Sequence, residues 1–317
     1  MESTKTMLEP QEKNIFKRFA KSMKKYWVYY LFFLPCAVGL IMFSYVPMAG
    51  IVLAFKEYWP KFGMFGSPWA EPLTLWFDKL FVDPQFWDVL WNTVIISVLR
   101  LVCGFPFPII LAILFNELKS KGFGKFVQTI LFLPYFISWI VLSGMVKMIF
   151  GVDGLANSLV GLFGVEPIRF LTTDGWFMAL LILVGIWKDA GYGMIIYLAS
   201  ISSIDQGLYE AVEIDGGNRW HKMIHITLPG IASAIAIQLI LSLSGILNGG
   251  FDQIYNLYSV PVYDVADIID TYLYRVGLSD GKFELGTALG LFKSVIGLVL
   301  VLISNKITKL LGGEGIW

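Results

Sequence analysis

Long apolar runs separated by short polar segments dominate the chain. Each run is close to or above the ~20 residues that a helix needs to cross a bilayer. They predict six membrane-spanning helices, at about 27–47, 88–116, 126–149, 175–199, 231–257 and 285–307. The polar segments between the runs are too short to form a second domain. The predicted fold class is therefore an all-α polytopic membrane protein.

The composition agrees with a membrane class. Hydrophobic residues make up 56% and charged residues 15% of the 317 residues, and the mean hydropathy is +0.69. These values exceed what a soluble domain needs. The net charge is zero, so charge gives no reason to expect a nucleic-acid partner.

The predicted orientation follows from the distribution of positive charge. The segments on one side of the predicted spans hold fourteen Lys and Arg residues and lie at 1–26, 117–125, 200–229 and 306–317. The segments on the other side hold six and lie at 56–86, 150–174 and 251–284. Because short cytoplasmic loops carry the excess of Lys and Arg, both termini are predicted to be cytoplasmic. We expect residues 1–26 to be retained as a basic N-terminal segment at the cytoplasmic leaflet.

One polar island, residues 205–229, lies between two long apolar runs and cannot sit in lipid. Asp205 is a good N-cap, and Gly216 with Gly217 provides a left-handed stop. A short helix is therefore predicted at 206–215, and a second short helix follows it. Pro229 is expected to open the next membrane span.

The polar island resembles the EAA coupling loop of binding-protein-dependent ABC importer permeases. The matching residues are Glu210-Ala211-Val212, then Asp215-Gly216, then a run that ends at Leu228-Pro229. The resemblance implies a type I, maltose-type ABC importer permease fold, with a transmembrane permease domain over 27–317 and a coupling loop at about 200–229. It implies that the 205–217 helix docks on a separate ATPase subunit, through Glu210, Ala211, Asp215 and Gly216. Val212 departs from the family, which often has a second Ala there, and is expected to enlarge the helix surface slightly.

The same resemblance implies the partners and the place of the protein. These are a second homologous permease subunit, two ATPase subunits and an extracytoplasmic solute-binding protein, assembled in the bacterial cytoplasmic membrane. The chain contains no G-x-x-x-x-G-K-[ST] run to cradle phosphates. We therefore expect no cofactor and no enzymatic activity in this chain, with ATP and Mg²⁺ bound by the partner ATPase subunits.

The outer motifs around 251–275 and the tail at 312–317 resemble the permease branch for complex oligosaccharides, including the first permease of alginate importers. A glycan substrate is the expectation that this implies. Two alternatives remain open: an ABC permease for another small solute, and a secondary transporter driven by an ion gradient. A secondary transporter would normally show duplicated halves and acidic coupling sites near the midplane. An intramembrane enzyme would need a nucleophile and base or a metal set, and the sequence suggests neither.

Polar residues inside the predicted spans are candidates for the translocation path. A charge exposed to lipid costs at least ~2.5–3.5 kcal/mol, so such residues should face a cavity or one another. The candidates are Arg100, Lys188, Asp189, Asn248 and Lys293. Asp189 is predicted to pair with Arg100 or Lys293, and the excess of cations suggests an anionic or strongly hydroxylated glycan. Charges that only hold helices together would explain the same residues.

Four residues raise the question of a metal site or disulfide. His221 and His225 lie four positions apart on the polar island, but without a second pair of ligands they are interpreted as surface residues. Cys36 and Cys103 lie inside apolar runs and are expected to be buried as small hydrophobic residues. No metal site is predicted.

The predicted orientation can be tested by labelling single cysteines after Cys36 and Cys103 have been replaced. Lys5→Cys and Glu210→Cys should react with an impermeant thiol reagent only when the cytoplasmic face is open to it. Reaction of either position from the outside alone would contradict the orientation and the docking of the polar island on a cytoplasmic ATPase.

Overall fold

The computed structural model describes residues 15–118 and 120–310. Within these ranges the regular structure is helical, apart from one isolated antiparallel bridge between Lys56 and Trp69. The predicted all-α class is confirmed. The first fourteen residues of the predicted basic segment and the tail at 312–317 lie outside the described residues.

Among the described residues, 15–52 belong to one compact unit and those from Leu53 onward belong to another. In the first unit, helix α1 (Ile15–Leu40) runs into a π-helical turn (Ile41–Tyr45) and a short helix (Val46–Met48). A 3₁₀ segment, Ala49–Phe55, follows. Tyr26 has a non-helical backbone (φ −114°, ψ 22°), so a kink separates the basic part of α1 from the apolar part.

The second unit contains the remaining helices. The main ones are α2 (Leu75–Val82), α3 (Pro84–Leu99), α4 (Pro106–Asn116), α5 (Lys121–Phe132), α6 (Trp139–Phe150), α7 (Leu155–Gly161), α8 (Asp174–Ser202), α9 (Gln206–Ile214), α10 (Arg219–Lys222), α11 (Ala232–Ser244), α12 (Phe251–Leu257), α13 (Ile269–Leu273) and α14 (Phe283–Leu310). Shorter α-helical pieces lie at Gly63–Gly66, Leu228–Gly230 and Tyr263–Ala266, and 3₁₀ turns at Leu133–Phe136 and Val260–Val262. Three π-helical turns lie at Arg100–Gly104, Met223–Thr227 and Tyr274–Ser279.

Five helical stretches in the described part of the chain are long and apolar enough to cross a membrane. They are Ser22–Phe55, Pro84–Asn116, Trp139–Gly161, Asp174–Ser202 and Phe283–Lys306. A sixth is provided by Arg219–Gly230 and Ala232–Leu243 if this pair, which is bent by 57°, counts as one span. The count of six thus depends on a helix that begins inside the polar island rather than at residue 231.

The predicted continuous span at 126–149 is wrong, because α5 and α6 are separate helices. The chain between them passes through a 3₁₀ turn and then an extended stretch at Ile137 and Ser138. Pro134 has no N–H to donate to a helix, and the break leaves carbonyl oxygens without helical partners. Lys188 donates to two of them, those of Tyr135 and Ile137, at 2.9 and 2.5 Å, and to the Pro134 carbonyl at 3.3 Å, which also accepts from the N–H of Ile137.

The predicted continuous span at 231–257 is also broken. Helix α11 ends at Ser244, and α12 starts only at Phe251. Gly250 between them has φ +85°, a left-handed conformation that glycine adopts without steric cost. Pro229 lies in the short helix before the bend at Ile231, so it does not itself open the span.

Helix α8 is the central helix of the second unit. Its N-terminal half contributes Phe177 and Leu181 to one buried cluster, together with Ile96 of α3. Its C-terminal half contributes Met194 and Tyr197 to another. A third cluster, around Phe86, Tyr272 and Leu289, joins α3, α13 and α14.

Two glycines allow α8 to approach its neighbours closely. A Cβ atom at Gly191 would overlap the carbonyl of Leu131 at the end of α5, and one at Gly193 would lie 2.9 Å from Pro108 Cγ in α4. Small residues at such contacts let helix backbones pack where lipid supplies no hydrophobic drive for association. Side chains larger than hydrogen do not fit at these positions.

The prediction that the two cysteines are buried is wrong. Cys36 and Cys103 are both free and exposed. An apolar run in a membrane protein can face lipid as well as protein, because lipid tails are as apolar as a protein core. Hydropathy alone therefore does not distinguish these two environments.

Replacing Lys188 by Met should destabilise the protein, because the carbonyls of Tyr135 and Ile137 would lose their donor, while that of Pro134 keeps the N–H of Ile137. Each buried acceptor left unsatisfied costs about 1–3 kcal/mol. Thermal unfolding of the purified protein in detergent measures this loss. Lys147→Met is the matched control, since Lys147 is exposed in the last turn of α6 and should change stability by no more than ~0.5 kcal/mol. Equal stability of the two variants would contradict the stabilising role of Lys188.

Candidate functional site

The helix predicted on the polar island is confirmed. Helix α9 covers Gln206–Ile214, and the Asp205 side chain accepts a hydrogen bond from the N–H of Gly207 at 2.9 Å. Gly216 follows with φ +76°, the left-handed stop expected from the sequence. The second short helix of the polar island is α10.

The residues proposed to contact an ATPase all lie on the surface of the polar island: Glu210, Ala211, Asp215 and Gly216. Apolar side chains are exposed beside them, including Ile214 at 86% and Trp220 at 67%. Val212 is half-buried and faces Gly217, where a Cβ atom would overlap its Cγ1. The departure at Val212 is thus accommodated by the glycine turn, and it does not enlarge the exposed surface as expected.

Two side-chain contacts fix the polar island internally. The Tyr209 hydroxyl lies 3.0 Å from Thr227 Oγ1, joining α9 to the π-helical turn in the first helix of the bent pair. Lys222 Nζ lies 2.5 Å from Glu213 Oε1, and this hydrogen bond holds the pKa of Glu213 below its ordinary value. The Glu213 carboxylate is therefore ionised at neutral pH.

The two histidines take part in local structure. His221 and Asn218 form a capping box at the start of α10, and His225 Nδ1 lies 3.1 Å from the His221 carbonyl oxygen. Both histidines are exposed. No group of three or more His, Cys, Asp or Glu suited to a metal ion occurs in residues 15–118 and 120–310.

A cavity of about 360 Å³ lies in the second unit, between the α3–α4 span, α8 and the broken α11–α12 span. Three of the five candidate path residues line it: Arg100, Asp189 and Asn248. Gln238, Tyr197 and Ser97 add further polar groups to the lining. The structure therefore brings together residues that are up to about 150 positions apart in the sequence.

Arg100 is held in this cavity by the broken span. Its Nη2 donates to Gln253 Oε1 at 2.5 Å, and Gln253 Nε2 donates to the Leu181 carbonyl at 2.7 Å. The guanidinium lies directly against Gly250, where a Cβ atom would overlap it. Gln253 is only 1% exposed, so the guanidinium has a rigid support.

Two polar atoms in the cavity wall have no hydrogen-bond partner among the described residues. They are Arg100 Nε and Ser97 Oγ, and both are buried. Buried polar groups are normally satisfied, and a guanidinium N–H forms its strongest hydrogen bonds with anionic oxygens. Both atoms are enclosed in the cavity wall, whereas the Arg100 side chain as a whole is half-buried and lines the cavity, so the cavity offers the positive charge of the guanidinium to a ligand that carries a carboxylate.

The two candidate lysines lie elsewhere. Lys188 is occupied by the carbonyls of the α5–α6 break, and Lys293 Nζ lies 2.5 Å from Asp270 Oδ1. Lys293 pairs with Asp270, so the predicted alternative of Asp189 with Lys293 is wrong. Arg100 donates to Gln253, and it interacts with Asp189 only through charge across the cavity that both residues line. Asp189 lines the cavity without either bond.

Sequence reasoning missed Ser97 and Gln253 of the cavity wall. Ser97 carries no signal, since serine is common in apolar helices. Gln253 was a polar residue within the predicted 231–257 span, and that position is the signal that could have found it. Gly250 belongs to a glycine-rich stretch, but only the structure shows that its missing side chain makes room for Arg100.

Comparisons with known proteins support one family over most of the chain. The model of the family "Binding-protein-dependent transport system inner membrane component" matches residues 104–312. The polygalacturonan/rhamnogalacturonan transport system permease protein YteP of Bacillus subtilis is 44% identical over 289 residues, which are 91% of this chain and 89% of that protein. The fold also matches a chain in the crystal structure of a bacterial alginate ABC transporter in complex with an alginate pentasaccharide-bound periplasmic protein. That match has a TM-score of 0.86 and 38% identity, and it covers 94% of this chain and all of the other.

Replacing Gly250 by Ala should cost more stability than the same change at Gly281. Both glycines have positive φ, +85° and +70°, so both substitutions carry the left-handed penalty of about 1–2 kcal/mol. Only at Gly250 does the new methyl group collide with Arg100, because the space around Gly281 is open. Thermal unfolding of the two variants gives the comparison. Equal losses of stability would mean that Arg100 moves aside at no cost.

Proposed function

Because the chain belongs to the family of binding-protein-dependent transport system inner membrane components, we propose that it is a permease subunit of an ATP-driven importer for acidic glycan fragments. The expected substrates are oligomers of uronic acids. The protein is a multi-pass component of the bacterial cytoplasmic membrane. It receives the glycan on the outer side, and its cavity forms part of the route through the membrane.

The observation that carries this proposal is the Arg100 site. A guanidinium at membrane depth is costly unless it faces polar groups or a ligand. Gln253 satisfies one of its N–H groups, while Nε remains without a partner among the described residues. The guanidinium lines the cavity, and in this proposal its positive charge attracts the carboxylate of a passing uronate.

The relatives support the acidic class of substrate. The B. subtilis relative is named for polygalacturonan and rhamnogalacturonan transport. A second solved structure, matching at a TM-score of 0.84 and 39% identity, is described as involved in the import of the acidic polysaccharide alginate. Polygalacturonan and alginate are both polymers of uronic acids, so these relatives share a substrate that carries carboxylates.

The polar island is the surface through which transport by this chain is proposed to be coupled to ATP hydrolysis. Glu210, Ala211, Asp215 and Gly216 lie on its surface with exposed apolar neighbours, which suits a small helical surface that docks on another subunit. The assembly proposed is a heterodimer of this chain with a second homologous permease, two ATPase subunits and an extracytoplasmic solute-binding protein. ATP and Mg²⁺ are bound by the ATPase subunits, and this chain acts on the glycan without chemistry of its own.

Uptake into proteoliposomes that contain the whole importer tests the role of Arg100. Arg100→Met should lower uptake of an oligogalacturonate by about ten- to a hundredfold, the effect of losing one hydrogen bond to a charged group. Uptake of the same oligomer as its methyl ester, which is neutral, should change little. Each variant is compared with the wild type on the same substrate. Any preference of the solute-binding protein for one oligomer then affects both uptake rates equally.

Lys147→Met serves as the matched control, because it also removes a cation from a span but lies outside the cavity. It should import both oligomers at the wild-type rate. If Arg100→Met lowered the uptake of both oligomers equally, Arg100 would have a structural role. Failure of the wild-type importer to take up any uronate oligomer would overturn the proposed substrate class.

A further inference from the structure

Three segments meet where the polar island joins the membrane spans. Ile204, just after α8, packs against Gly230 in the short helix before the bend, and a Cβ atom at Gly230 would lie 2.5 Å from Ile204 Cδ1. Helix α9 begins two residues after Ile204. The π-helical turn Met223–Thr227 lies in the first helix of the bent pair, Arg219–Gly230. The end of α8, the island helix and the base of the bent pair thus share one junction.

One side-chain hydrogen bond ties α9 to this junction. Tyr209 lies near the middle of α9, and its hydroxyl reaches Thr227 Oγ1 at 3.0 Å. Thr227 is 4% exposed, and its hydroxyl also lies 3.4 Å from the carbonyl of Lys222. Tyr209 is half-buried, so one residue of α9 faces the junction while Glu210 and Ala211 next to it face outward.

The position of this bond determines what it can transmit. Helix α9 is otherwise connected by its two ends, the capped start at Asp205 and the glycine turn at Gly216, and by the ion pair between Glu213 and Lys222. The Glu213 side chain is 68% exposed, so water and salt weaken this ion pair, and it restrains α9 less than a hydrogen bond to a buried group does. The Tyr209 bond makes any displacement of α9 also a displacement of Thr227, four residues before the 57° bend.

We propose that Tyr209 is a positioning residue for energy coupling, acting through Thr227. Its hydroxyl transmits movement of the island helix to the bent helix pair, which carries Gln238 of the cavity wall. This inference rests on the proposed function, because it takes the polar island to be the surface that an ATPase moves. It adds the route by which that movement reaches the cavity, and this route is independent of which glycan is carried.

Tyr209→Phe tests the route because it removes one oxygen atom and leaves the ring in place. In proteoliposomes with the complete importer, the number of glycan molecules imported per ATP hydrolysed should fall by about fivefold or more, the lower end of typical coupling between sites. Assembly with the ATPase subunits and the rate of ATP hydrolysis should stay near the wild type. A purely structural role would instead lower assembly yield and both rates together.

Variants at position 227 give the matched tests. Thr227→Val keeps the shape and loses the hydroxyl, so it should show the same fall as Tyr209→Phe, and the double variant should fall no further, since both changes break one bond. Thr227→Ser keeps the hydroxyl and should retain the wild-type ratio. Thr129→Val is the control, because the Thr129 hydroxyl bonds only to Lys125 of its own helix, and it should leave the ratio unchanged.

A wild-type ratio in Tyr209→Phe and Thr227→Val would overturn the inference, as would a fall in Thr129→Val of the same size. Glu210→Lys separates this failure from failure of the proposed function. It reverses a charge on the exposed face and should prevent productive docking. If Glu210→Lys assembles and transports like the wild type, the polar island is not the docking surface and the proposed function fails at that point.

Discussion

The fit of helix α8 against α4 and α5 is the constraint on which the second unit depends. Gly191 and Gly193 bring its backbone against Leu131 and Pro108, and Lys188 in the preceding turn donates to the carbonyls of the α5–α6 break. In lipid every backbone polar group must find a partner within the protein. The break in the third predicted span is therefore stable only because α8 lies close enough to supply a donor.

The charges inside the membrane divide into two kinds once their partners are known. Lys188 and Lys293 are engaged by fixed groups of neighbouring helices, as the stabilising interpretation of the sequence supposed. Arg100 and Asp189 line a cavity, as the path interpretation supposed. Residue type alone did not separate the charges with fixed partners from those that line the cavity. Distance to a partner did, and that is a property of the fold.

Much of the fold could be predicted because apolar length and helix capping are local properties. The all-α class, the approximate position of the spans and the α9 helix with Asp205 and Gly216 follow from nearby residues. The breaks at 133–138 and 245–250 could not be predicted in this way. Hydropathy averaged over a window of about 20 residues stays high across a short break in the helix. Each break is stabilised by a residue distant in sequence, Lys188 in one case and Arg100 in the other. The family assignment confirms the predicted importer permease fold and argues against the ion-driven transporter.

The carbonyl partners of Lys188 precede it in the chain by 51 to 54 residues. Synthesis proceeds from the N-terminus, so these acceptors leave the ribosome before the lysine does. A lone lysine at the centre of a helix entering the bilayer costs ~2.5–3.5 kcal/mol, and the acceptors are available when α8 arrives. The insertion of α8 is in this way assisted by a segment already made, which gives the order of the spans along the chain a role in biogenesis.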